Sequence, residues 1–229
     1  MAQFWDGRAA TLEDQAKGPI ANPIEMGNTH DAMAAKLSGI QGYRPLFLKA
    51  FGSPDITIDT VAKAIATFER TLLSGNSAYD RYKAGNKSAM TPAQVRGMDV
   101  YFNKAKCDQC HEGVNFTANA YANLGIGTDK PEPDAGRFEV TKDPLDWGKF
   151  KTPTLRDISK TGPYMHDGSL KTLEEVVDFY DKGGTPNKNL DEKIKKLNLT
   201  AGQKKDLVEF LKTLDGAPIR LAVPTTFPQ

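Results

Sequence analysis

Cys107-Asp108-Gln109-Cys110-His111 holds the only two cysteines of the chain and sets a histidine directly after the second. Two thiols three positions apart can each form a thioether to a haem vinyl group, while the adjacent imidazole reaches the iron from one face. The spacing is that of a c-type haem attachment site. Cys-x-x-Cys also serves zinc and thiol redox chemistry, but a structural zinc site needs four ligands and no further cysteine exists. A thioredoxin-like pair expects a βαβ setting, whereas Val95, Met98, Tyr101 and Phe102 follow helical spacing after a Thr91-Pro92 start. Haem is the favoured reading, held by Cys107, Cys110 and His111.

The opposite face of the iron needs His, Met or Tyr, and each tunes the potential differently. Methionine favours a high-potential electron carrier; anionic tyrosinate stabilises ferric iron. Met165 lies in a tight polar loop, Thr161-Gly162-Pro163-Tyr164-Met165-His166-Asp167-Gly168. Tyr180 falls with Leu173, Val176 and Val177 at i, i+3, i+4 and i+7 behind a Thr172/Glu175 capping box, so it points inward with the apolar face. On spacing alone both candidates stay open. His30 reads as solvated, and His166 as a neighbour of the site held in one tautomer by Asp167. Near the start stand Trp5, Gln15 and Glu25. A carboxylate beside a haem could move a proton between the oxygens of a bound peroxide, although by position alone Glu25 reads as a surface charge.

The elements that must position these residues are helical. Short helices are expected over 30–37, capped by Thr29, and over 45–51. A core helix is expected over 57–73, with Ile58, Val61, Ile65, Phe68 and Leu72 on its buried face. The opening segment, 4–27, shows no long period and reads as loop, and 74–87 reads as a connection. A helix from Thr91 delivers the haem motif, 114–151 reads as loops with a short hairpin, and a last helix from Thr200 buries Leu207, Phe210, Leu211 and Leu214. The fold class is therefore mainly α with long irregular loops: a cytochrome c-like helical haem domain over 87–216, a further helical domain over 1–86, and a tail over 217–229.

Composition excludes more than it assigns. At 229 residues, 39% hydrophobic and 26% charged, the chain can bury a real core. A net charge of +1, with no basic stripe interleaved with aromatics, argues against nucleic acid as a partner. No run approaches the roughly eighteen apolar residues needed to span a bilayer, and Met1-Ala2-Gln3-Phe4-Trp5 is not a signal peptide. Bacteria attach haem covalently outside the cytoplasmic membrane, so the expectation is a periplasmic chain in mature, trimmed or partial form.

The landmarks together are more specific than the haem motif. Phe4-Trp5-Asp6-Gly7-Arg8, Gln15, Gly18-Pro19-Ile20, Asn22-Pro23, Glu25-Met26-Gly27, Cys107 to His111, Pro163 to Gly168 and Thr172-Leu173-Glu174 run in the order of one family. The chain resembles the bacterial di-haem cytochrome c peroxidases and their MauG-type relatives. The resemblance implies two helical domains with two c-type haems, hydrogen peroxide reduced or used to oxidise a partner at one, and electrons entering through the other. It implies that Cys107, Cys110 and His111 hold the second, electron-transfer haem, that Trp5 lies between the haems, and that Gln15 and Glu25 flank the peroxide site. It also implies a calcium bound by the carbonyls of Thr161 and Pro163, an electron-donor or substrate protein as partner, and a homodimer as the assembly to test.

Two departures inform the expectation. The family's first haem motif has no counterpart in this chain, so Glu25 and Gln15 need a haem supplied from outside this sequence. Where the classical peroxidases place methionine, this chain has Tyr180, as the MauG-type members do, which favours Tyr180 over Met165. MauG-type members also have a tryptophan two residues before the second motif; in this chain that position is Ala105, so their protein substrate is not implied. The competing expectation is a non-enzymatic mono-haem electron carrier.

Overall fold

Thr11 accepts a hydrogen bond from the backbone N–H of Asp14 and so starts α1 (Leu12–Ala21) within the segment expected to be loop. Gly18 and Pro19 had reduced its apolar signature to one pair, Ala16 and Ile20, which the fold buries at i and i+4. In the same way Thr29 caps α2 (His30–Gly39). His30 is not merely solvated, because its Nε2 donates to the carbonyl of Lys17 at 2.9 Å. After α3 (Tyr43–Phe51), which stops at a left-handed Gly52, a Thr57/Thr60 capping box opens α4 (Ile58–Glu69). Ile20, Met33, Phe47, Ile56 and Val61 form this unit's core.

These helices come from a computed structural model that describes residues 1–218, 221 and 224–229. The expected face of α4 is corrected by it. Val61, Ala62 and Ala66 are buried, whereas Ile65, Phe68 and Leu72 are exposed. The side that packs is the one with two alanines, whose small side chains let α1, the main neighbour of α4, approach closely. Leu72 lies beyond the helix end.

Arg70, the C-cap of α4, grips Glu13 of α1 with both carboxylate oxygens, at 2.8 and 3.0 Å. This bidentate bond holds the Glu13 carboxyl down at about 2. A depressed carboxyl contributes stability fully above its unfolded pKa of about 4.3 and loses it as pH falls through the folded value. We therefore expect the pair to release between about pH 4 and pH 2. Arg70→Ala should return the Glu13 titration, followed by NMR, to the ordinary carboxylate range; an unchanged Glu13 curve would refute the assignment.

The second unit begins at Ser77, which forms a capping box with Asp80 and starts α5 (Ala78–Lys83). The expected connection is thus partly helical and belongs to this unit. Tyr79 sets its ring edge-on to Phe116 and Phe210, with centroids at 5.2 and 5.8 Å, and its N–H donates to the carbonyl of Thr213. For that reason the division between the units falls at Leu73 and Ser74, before the expected boundary at 86/87. Next come α6 (Pro92–Asp99), β1 (Tyr121–Ala122), α7 (Phe138–Thr141), β2 (Phe150–Lys151), α8 (Leu173–Lys182) and α9 (Ala201–Lys212). The strands pair antiparallel, Tyr121 with Lys151 and Ala122 with Phe150. They are a distant pair rather than a tight hairpin. Around Tyr101, Phe210 and Leu214, all fully buried, α6 packs on α9.

Trp5–Arg8 also belongs to the second unit, although the residues on either side belong to the first. The N–H of Lys151 donates to the Trp5 carbonyl at 2.7 Å, and Arg137 donates to the Asp6 carbonyl at 3.1 Å while its guanidinium covers the Tyr121 ring. Gly7 makes this approach possible: its φ is +75°, and a Cβ there would collide with the Tyr121 hydroxyl. Of the expected tail, residues 219, 220, 222 and 223 lie outside the described residues, and the Gln229 carbonyl accepts from the N–H of Gly42. Among the described residues no helix is long and apolar enough to cross a membrane.

Candidate functional site

The haem motif is presented by a sequence of three backbone forms. α6 runs into a π-helical turn, Val100–Lys104, closed by the Ala105 N–H on the Val100 carbonyl at 2.8 Å. Lys106 then turns left-handed (φ 51°), and Cys107–Gln109 form a 3₁₀ turn in which the N–H groups of Cys110 and His111 both reach the Cys107 carbonyl. Three residues per turn eclipse side chains at i and i+3. The Cys107 and Cys110 thiols, both free, therefore face one way. They face a cavity of about 420 Å³ whose wall is built wholly from the second unit.

His111 is fixed on its outer side. Its Nδ1 lies 3.1 Å from the carbonyl of Phe116 and 3.1 Å from that of Pro153. Carbonyl oxygens only accept, so Nδ1 carries the hydrogen and the neutral ring leaves its Nε2 lone pair uncommitted. Burial pushes the imidazole pKa down, against those two hydrogen bonds, and favours that neutral form. The same turn is tied into the core, where the Tyr101 hydroxyl donates to the His111 carbonyl at 2.6 Å.

Across the cavity stands α8, with the Thr172/Glu175 capping box that the sequence predicts. Leu173, Val176, Val177 and Tyr180 all line the cavity, as their spacing requires. The Tyr180 hydroxyl has no hydrogen-bond partner among the described residues, whereas a phenol turned into an apolar space ordinarily finds one. Burial pushes its pKa up, and the nearby Cys107 and Cys110 add to this. Burial likewise pushes the Cys107 thiol up to about 12. The chamber thus disfavours charge in the protein groups themselves. A metal cation reverses that preference, because its own charge becomes the largest in the site.

Around this cavity the fold brings together Trp5, Cys107, Cys110, His111, Thr161, Pro163, Met165 and Tyr180. Gln15, half-buried on α1, and Glu25, exposed in the turn after it, belong to the first unit. Among the described residues no cluster of three or more His, Cys, Asp or Glu side chains could hold a metal ion. The expectation for His166 is corrected. Asp167 does not hold the imidazole but pairs with Lys130 at 2.8 Å, and the His166 ring instead stacks on Phe150 with centroids 3.5 Å apart and planes 9° apart. An adjacent carboxylate was the wrong signal, because the loop turns the two side chains to different neighbours. Sequence reasoning also missed the two carbonyls on His111 and the amine of Lys151 at the cavity wall; backbone groups and loop lysines carry no motif.

These residues fit a c-type haem. Two thiols, an imidazole with a free Nε2, a phenol with no hydrogen-bond partner among the described residues and a largely apolar wall suit such a group. Known proteins point the same way. A family model described as di-haem cytochrome c peroxidase matches residues 1–88. The chain is 40% identical to the methylamine utilization protein MauG of Methylorubrum extorquens, over 96% of this chain and 62% of that protein. It is 39% identical to the cytochrome c551 peroxidase of Nitrosomonas europaea, over 94% of this chain and 62% of that protein. It therefore spans about three-fifths of the length of these relatives. The solved structure of a MauG-like protein associated with microbial copper homeostasis superposes with a TM-score of 0.82 at 36% identity, covering 94% of this chain and 72% of the other. By its fold, its site and this similarity, the chain belongs to the di-haem cytochrome c peroxidase and MauG family.

Proposed function

We propose that this chain carries the electron-transfer haem of a MauG-like peroxidase that reduces hydrogen peroxide or uses it to oxidise a partner protein. Cys107 and Cys110 would hold the haem covalently, and His111 Nε2 and the Tyr180 hydroxyl, which line the same cavity, would be the side chains offered to its iron. When bound, the haem supplies one-electron chemistry. The protein's part is to hold the imidazole in one tautomer through Phe116 and Pro153, to place the phenol opposite, and to exclude water with the apolar face of α8. The single observation that carries this reading is the Tyr180 hydroxyl, without a hydrogen-bond partner among the described residues, in the same cavity as a histidine whose outer nitrogen is already committed.

Trp5, at the cavity wall, would pass electrons toward a second haem, and Gln15 and Glu25 would serve the peroxide site of that haem. The Thr161 and Pro163 carbonyls offer a calcium site. A redox partner protein, a homodimer and a periplasmic location complete the proposal. Intact mass and a pyridine haemochrome spectrum of the protein produced with a haem-attachment system test its base. One covalent haem is expected; none would overturn the reading. Peroxide turnover appearing only when a second haem-bearing segment is present supports the peroxidase over a simple carrier, and electron transfer with no peroxide turnover under either condition favours the carrier.

A further inference from the structure

The cavity wall is apolar apart from a few cations, and most of these are accounted for. Arg156 is fully engaged: its Nη1 meets Asp80 at 2.8 Å, and its Nε and Nη2 donate to the carbonyl of Val114 at 2.9 and 2.6 Å. Lys106, Lys193 and Lys195 line the cavity but are exposed, so water satisfies them. Lys151 differs. It is half-buried on β2, and among the described residues its ammonium has neither a hydrogen bond nor an ion pair. Burial alone lowers its pKa, with no opposing partner.

A cation held against an apolar wall is costly unless a counter-charge meets it. The porphyrin of a haem carries two such charges, the propionate carboxylates. The backbone of Lys151 has a second task, since its N–H holds the Trp5 carbonyl at 2.7 Å. Its neighbour Phe150 is fixed by the stack on His166, and Tyr121 of β1 pairs with Lys151 itself, so the strand that carries the side chain is anchored at the cavity wall.

We propose that the Lys151 ammonium pairs with a propionate carboxylate of the haem, and that its main chain ties the Trp5 segment to that carboxylate edge. The inference rests on haem occupying the cavity, as proposed above. Lys151 is then both a haem-binding and a positioning residue: the charge partner of the propionate, and the strand residue that sets Trp5 beside it. A cation at the propionate offsets its negative charge and favours ferrous iron. Removing the cation stabilises ferric iron and raises the propionate pKa, so the potential becomes more pH-dependent toward neutrality.

The test uses the haem-loaded chain and the variants Lys151→Met, Lys151→Gln and Lys151→Arg, read by equilibrium redox titration across pH and by the propionate bending band in resonance Raman. All variants keep the N–H that binds Trp5, so any difference reports the side-chain charge. Met and Gln are expected to lower the midpoint potential and shift the propionate band, while Arg retains both. Loss of haem from Met and Gln with retention in Arg counts equally for the proposal, because charge is what separates the set. If haem is bound at full stoichiometry and neither potential nor band moves in Met or Gln, the pairing is refuted while the haem reading stands. If the wild-type chain binds no haem, both fall, and the haemochrome spectrum shows it first.

Discussion

Replacing Tyr180 with phenylalanine is expected to raise the ferric/ferrous midpoint potential of the haem and to remove phenolate-to-iron charge-transfer absorption from the ferric spectrum. An anionic ligand stabilises ferric iron, so its loss moves the potential upward, by a sizeable share of the roughly 0.8 V over which axial ligands set haem potentials. Folding of the polypeptide should be little affected, because among the described residues the hydroxyl has no hydrogen-bond partner to lose. The pairing of a large spectral effect with an intact fold is what a ligand predicts and a structural hydroxyl does not. An unchanged ferric spectrum in Tyr180→Phe would remove the assignment. A sulfur-to-iron band in the wild-type protein would transfer it to Met165, which lines the same cavity.

The second large effect is on stability. At Gly97 of α6 a methyl group would collide with the backbone carbonyl of Asp206 and lie 2.8 Å from the Phe210 Cβ on α9. The obstacle is mainly backbone, so no side-chain rotation relieves it, and the two helices would have to move apart around Tyr101 and Phe210. Gly97→Ala is expected to cost at least the upper end of the roughly 1–3 kcal/mol typical of overpacking. It should also weaken haem retention, because α6 leads directly into the turn that presents Cys107. Gly202→Ala on α9 is the control: the nearest atom to its added methyl is the Thr200 Oγ1 at 3.9 Å, and its effect should stay within about 0.5 kcal/mol. Urea denaturation of the two variants separates them, and equal midpoints would contradict the close helix crossing.

The two units differ in how far they were legible. In the second, capping residues and apolar spacing located α6, α8 and α9 closely, because Thr91, Thr172 and Thr200 each cap a helix whose buried face follows directly. In the first, the period of α4 was present but misassigned. Ile65 and Phe68 suggested the core by size, whereas Ala62 and Ala66 occupy it. Periodicity tells that a helix has an apolar side; which side is covered depends on the neighbour, and a close neighbour favours small residues. α1 was hidden for the opposite reason, since a helix with only two buried residues and an internal proline barely modulates hydropathy.

At the site, the sequence by itself carried the motif on which the proposed haem attachment rests, Cys107, Cys110 and His111, and the placing of Tyr180 on the inward face of its helix. Each is a local property, a spacing within one or two turns of chain. Only the tertiary structure decided that Trp5 belongs with the second unit, that two carbonyls from separate loops hold the His111 ring, that Asp167 turns to Lys130 and not to His166, and that the Lys151 ammonium stands at the cavity wall without a partner among the described residues. Those features depend on backbone groups and loop side chains brought together across long separations. A carbonyl has no residue type, and a lysine's partner is set by what the fold places within its reach. The motif at Cys107 to His111 thus points to the cofactor, and the packing around it sets which groups stand ready to hold it.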